Sequence, residues 1–202
     1  GRQNVAFTRE TLQKNGLGYF GDEYNQGSEY TYVASAEQNL PFPVAFIGLN
    51  TTEGPIDMEK VVAAVEDAKS RSKFVIVNIH WGEEYHDNSN QAQQNLAHQL
   101  IDLGVDVIIG HHPHVVEEAE VYKGKYIFYS LGNFIFDQYW SQPTQEGVSV
   151  VLTIEESGAM SWQLIPFVSK RSQIELMAGQ KRLEFFEWME KNSRMPSPSF
   201  EF

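Results

Sequence analysis

The chain has 202 residues, 42% hydrophobic and 13% aromatic, enough apolar side chain to build a globular core without staples. It contains no cysteine, which excludes disulfides, zinc–thiolate centres and thiol nucleophiles. Fifteen basic against twenty-seven acidic residues leave a formal charge of −12, and the basic residues come only in short scattered groups (Lys123/Lys125, Lys170/Arg171, Lys181/Arg182). Such a surface repels phosphate backbones, so no nucleic-acid partner is expected.

Residues 4–15 predict a short helix, with Val5, Leu12 and, as a further candidate, Phe7 facing inward and Gly16 as its stop. No apolar run reaches the roughly 18 residues a bilayer span needs, and residues 1–20 lack a signal-peptide pattern. The sequence opens Gly1-Arg2, which reads as a processed chain or as the carboxyl-terminal part of a longer one. Residues 21–30 are polar and turn-rich, hence a loop. Residues 43–49 are a buried-strand candidate. Asp57 can cap a helix reaching about Ser70, with Val61, Val65 and Ala68 on one face and Glu59 in the first turn.

Residues 74–80 (Phe-Val-Ile-Val-Asn-Ile-His) and 105–110 (Val-Asp-Val-Ile-Ile-Gly) are apolar, β-branched runs. Between them residues 91–103 carry a helical stripe of Ala92, Leu96, Leu100 and Leu103, closed by Gly104. Strand, helix, strand in that order makes a βαβ unit with parallel, adjacent strands. After it, residues 115–121, 126–130, 148–155 and 162–168 are strand-like with no helix between them, which predicts an antiparallel meander. Residues 178–191 form a last amphipathic helix carrying Leu183, Phe186 and Met189, followed by a frayed tail from residue 192. The expected class is α/β, with a body over residues 1–169 and a carboxyl-terminal helix and tail over 170–202.

Four of the six histidines follow the two apolar runs: His80, and His111, His112 and His114. Parallel strands lie about 5 Å apart, so these residues meet at one sheet edge, where α/β folds keep their ligand sites. Imidazoles in a His-x-His pair with a distant third suit a metal, which makes His80, His112 and His114 the candidate ligands. If the segment is extended, His112 and His114 point the same way, with Pro113 limiting the backbone. His111 then faces away and serves as a support of the ligands or as plain loop. Glu84 and Tyr85 are near enough to reach the same cavity. Glu84 either orients an imidazole or accepts a proton, or is a solvated loop acid. Trp81 reads as a pocket wall, Asn133 and Asp137 as polar groups facing the site, and His86 and His98 as surface residues.

Taken together, His80-Trp-Gly-Glu-Glu-Tyr85, Gly110-His-His-Pro-His114 and Tyr129-Ser-Leu-Gly-Asn-Phe-Ile-Phe-Asp137 resemble the poly-γ-glutamate capsule biosynthesis protein (CapA) family of the calcineurin-like metallophosphoesterase superfamily. The resemblance covers roughly residues 1–155. It implies part of a four-layer α/β/β/α sandwich with mixed sheets, two divalent cations (manganese, iron or zinc) between them, and His80, His112 and His114 as ligands. It also implies metal-assisted hydrolysis of a phosphoester or related bond, or help in exporting an anionic polymer. The setting would be the cell envelope, outside the cytoplasm, with membrane-embedded capsule-synthesis partners and an anchor in a preceding segment. Two features depart from the family pattern: His111 separates Gly110 from the His-x-His pair, and the family's early aspartates and asparagine–histidine motif are absent. Three imidazoles without a bridging carboxylate should bind one metal weakly and two hardly at all, so this portion alone is expected to be inactive. Two alternatives stand beside this reading: a non-catalytic component of a polymer synthesis or export assembly, and a cytosolic metallophosphatase.

Overall fold

The computed structural model describes residues 2–21, 31–35 and 39–195. The loop expected over 21–30 lies, from residue 22 onward, outside the described residues, as does the tail from 196. Helix α1 spans Arg2–Lys14, but Phe7 is 70% exposed and contributes nothing to a core. Strands β1 (Tyr32–Ala34) and β2 (Val44–Asn50) pair antiparallel. Helix α2 (Met58–Arg71) starts where Asp57 Oδ1 accepts the Glu59 N–H at 3.1 Å, and it buries Val61, Val65 and Ala68 as its period predicts.

The βαβ unit is present: β3 (Phe74–His80), α3 (Gln91–Leu103) and β4 (Val107–His111), with the strands parallel and His80 in register with His111. Its helix is turned from the expected stripe. Gln93, Ala97, Leu100 and Ile101 are buried while Ala92 is exposed, because the Gln93 side chain bonds Glu117 beneath the helix. Gly104, at φ +107°, closes the helix in a conformation that only glycine adopts without strain.

Strands β5 (Ala119–Tyr122) and β6 (Lys125–Phe128) form a hairpin, and β6 pairs parallel with β4. This corrects the single meander expected after residue 115. The hairpin completes a six-stranded sheet ordered β1-β2-β3-β4-β6-β5, and only β7 (Glu146–Ile154), β8 (Met160–Lys170) and β9 (Gln173–Leu176) form a separate antiparallel meander. Extended edges can join whichever sheet lies alongside, and a strand pattern carries no mark of its partner.

Side chains of β3 alternate between two cores, which is why the strand reads as continuously apolar. Val75, Val77 and Ile79 face α2 and α3, each at most 1% exposed and each contributing roughly 1.5–3 kcal/mol by burial. Phe74 and Ile76 face Val148 and Leu164 of the second sheet. Helix α4 (Gly179–Asn192) enters this second core through Phe185, Phe186 and Met189, while Leu183 is 42% exposed and does not. The first residues of the expected frayed tail are instead held in place: the Arg194 N–H donates to Ala119 O at 2.8 Å, and Val121 N–H donates to Arg194 O at 2.9 Å, along β5. The fold is an α/β sandwich whose described layers are helices, the six-stranded sheet, and the three-stranded sheet with α4.

Candidate functional site

β3 and β4 end side by side, so His80 and His111 emerge at one edge, and the chain continues from β4 straight into His112 and His114. Together with Leu131, Gly132, Asn133, Phe134, Ser149 and Phe167, these four histidines line a cavity of about 490 Å³ between the sheets. His80 Nε2 and His112 Nδ1 stand 3.0 Å apart. His112 and His114 are not extended: their φ angles are +106° and +62°, and Tyr85 opposite them is at +67°. Three non-glycine residues held left-handed within one site represent backbone strain that the surrounding packing must hold in place. The pair thus reaches the cavity by a strained turn, and not by strand alternation.

Three of the four imidazoles are held below the ordinary histidine range. Burial pushes His80 down to about 4, helped by the proximity of His112, His111 and His114. Burial also lowers His111, and it lowers His112 with His114 reinforcing and Glu84 opposing. His114 is oriented by Asn133. The Asn133 amide donates to Gln138 Oε1 and to Thr144 O, each at 3.0 Å, which leaves its Oδ1 to accept from His114 Nδ1 at 2.8 Å. The proton therefore sits on Nδ1 and the free nitrogen is Nε2, which faces Glu84 Oε1 at 3.7 Å. Gly132, at φ +71°, makes the turn that aims Asn133 inward; a Cβ there would meet Glu146 O at 2.7 Å. Tyr85 stacks on His114 with ring centroids 6.0 Å apart, and Phe136 packs against the same ring at 5.2 Å.

Several residues fall elsewhere than the sequence indicated. Trp81 is 1% exposed and turns into the first core, donating to Tyr129 O at 2.8 Å, so it forms no part of the cavity wall. The bulky indole finds a carbonyl partner there that the open edge does not offer. His111 lines the cavity with the other three histidines. Asp137 is exposed and does not line the cavity. His86 is exposed as expected, but His98 is not a plain surface residue: its Nε2 meets Glu120 Oε1 at 2.8 Å and its ring stacks on Tyr122. Gln138, which bridges Asn133 and the Tyr85 hydroxyl, was missed. Its one signal is a polar residue that turns out to be buried, which no local pattern announces.

As a metal site the donor set fits in part. Two neutral imidazole nitrogens 3.0 Å apart match adjacent positions around a cation with bonds of about 2.0–2.1 Å. Among the described residues, however, no three histidine, aspartate or glutamate side chains converge closely enough to hold one ion. His114 is turned toward Glu84 and Asn133 instead.

Residues 1–138 match the family described as bacterial capsule synthesis protein PGA_cap. The chain belongs to this family. It is 42% identical over 167 residues to the PGA biosynthesis protein CapA of Bacillus subtilis, covering 79% of this chain and 44% of that protein. It is 39% identical over 109 residues to the capsule biosynthesis protein CapA of Bacillus anthracis, covering 54% and 26%. A probable polyglutamine synthesis accessory protein of Mycobacterium tuberculosis is 34% identical over 79 residues, covering 39% and 21%. The chain thus spans less than half the length of these curated relatives. The PGA_cap match includes all four cavity histidines and Asn133, and stops short of β7, β8, β9 and α4.

Proposed function

We propose that this chain is the portion of a poly-γ-glutamate capsule biosynthesis protein that carries the imidazole side of a divalent-metal centre, acting at the cell envelope in hydrolase-like chemistry on a phosphoester or related bond. The observation that carries it is the His80–His112 nitrogen pair, 3.0 Å apart at the edge of a four-histidine cavity. The relatives' names support the capsule role. Manganese, iron and zinc all accept imidazole, and a bound cation would supply Lewis acidity toward a phosphoryl or acyl oxygen. The chain's own residues do the rest. Asn133 fixes the tautomer of His114, and Glu84 beside its Nε2 is placed to hold a proton as the reaction turns. No helix among the described residues is long and apolar enough to cross a membrane.

The test is metal titration of the full-length protein by calorimetry, repeated with His80→Ala and His112→Ala. Each substitution should weaken binding by at least about a hundredfold; unchanged affinity in both would overturn the reading. A second reading, a non-catalytic member of a polymer synthesis or export assembly, is favoured by the accessory role in the name of the Mycobacterium tuberculosis relative. Turnover on a phosphoester or peptide panel that vanishes on chelation would decide against it.

A further inference from the structure

Residues 81–90 bring Glu84 and Tyr85 against the ring of His114, outside the cavity lining itself, and residues 83–88 of this loop are exposed. Its far end is nevertheless hydrogen-bonded, directly or through Gln93, to two adjacent buried carboxyls, and its start packs over the same Gln93. Near the start, Gly82 lies over the Gln93 side chain at φ +87°, where a Cβ would come within 2.7 Å of Gln93 Nε2. That amide donates to Glu117 Oε2 at 2.8 Å, and its oxygen accepts the Asn90 N–H at 2.9 Å. Near the end, Ser89 donates twice to Glu118, from its N–H at 2.9 Å and from its hydroxyl. In between, the Tyr85 N–H donates to Pro113 O at 2.8 Å. Glu117 and Glu118 are each 2% exposed.

We propose that Glu117 and Glu118 are positioning residues for the candidate site, fixing residues 81–90 so that Glu84 and Tyr85 stand against His114. This rests on the reading that Glu84 and Tyr85 serve that site. The two carboxyls act differently. Glu118 is matched by the Arg194 guanidinium at 3.6 Å as well as by Ser89. Glu117 has no such cation: Glu118 and Asp87 face it, Gln93 is neutral, and its Oε1 has no partner among the described residues. An ionised carboxylate there would be stranded in the interior, so Glu117 holds Gln93 as the neutral acid. Consistent with this, burial pushes Glu117 up to about 8, with Glu118 and Asp87 adding and the Gln93 bond opposing. The hold on the loop therefore weakens as pH rises from 4.5 to about 8 and changes no further above that.

The test is amide hydrogen exchange of the full-length protein without metal, read as protection factors over residues 82–90. Glu117→Ala should lower protection there by about tenfold or more, whereas Glu117→Gln, which offers Gln93 the same acceptor, should keep it. Wild-type protection should fall between about pH 5 and 8 and level off above, and that of Glu117→Gln should not fall. Should Glu117→Ala fail to fold, the pH comparison between wild type and Glu117→Gln decides. Unchanged protection in Glu117→Ala, equal loss in Glu117→Gln, or parallel pH curves would each overturn the proposal. Since no metal enters this readout, metal affinity left unchanged by both His80→Ala and His112→Ala would refute the proposed function and leave this result standing.

Discussion

Replacing Glu117 by glutamine should stabilise the protein, by an amount that grows with pH. The carboxyl sits at about 8 against an ordinary 4.5, so between those values the folded state keeps a proton that the unfolded state has released. Wild-type stability therefore declines as pH rises through that window, by about 1.4 kcal/mol per unit, and is flat above it. Over the whole window the loss attributable to this one group is about 5 kcal/mol. Glutamine has no proton to lose. Its oxygen can accept from Gln93 as Glu117 Oε2 does at 2.8 Å, and its amide replaces the unpartnered Oε1. The two proteins should lie within about 1 kcal/mol of each other at pH 5, with glutamine ahead by about 3 kcal/mol at pH 7 and by 4–5 kcal/mol at pH 9. Urea denaturation followed by far-ultraviolet circular dichroism across this range measures the difference, and other titrating groups cancel in it. A difference that stays constant from pH 5 to 9 would refute the reasoning.

Gly110→Ala should cost more than about 3 kcal/mol or prevent folding, because the added methyl collides with the Tyr129 carbonyl and the Trp81 indole and breaks the hydrogen bond between them. The urea midpoint checks this, and a loss under 1 kcal/mol would count against the packing described. His114 should show the Nδ1–H tautomer in long-range nitrogen–proton spectra of the metal-free protein, and Asn133→Ala should shift it toward a mixture. A wild-type Nε2–H pattern would mean that Asn133 does not orient the ring.

Much of the fold was legible because short-range periodicity reports whether a segment is buried. The run ending at His80, the helix capped by Asp57, the helix closed by Gly104 and the strand before His111 all occur where their patterns place them. The convergence of His80 with the later cluster also followed from the sequence, since a short crossover makes the two strands parallel neighbours. Which face of a helix turns inward was less accessible. Gln93 is buried because its partner, Glu117, lies 24 positions away, and no window centred on the helix contains that fact. Leu183 and Phe7 mislead for the converse reason: an apolar residue is no evidence that a core lies opposite it.

From the sequence alone came the α/β class, the family and the set of imidazoles brought to one edge, because strand order and side-chain type are properties of the chain itself. Only the tertiary structure decided which nitrogens face each other. His112 and His114 adopt left-handed backbone that their residue types do not favour. Asn133, 19 residues further on and itself held by Gln138 and Thr144, orients the ring of His114. Strain of that kind is imposed by contacts between distant segments, which local preference opposes and which become visible only once those segments are packed together.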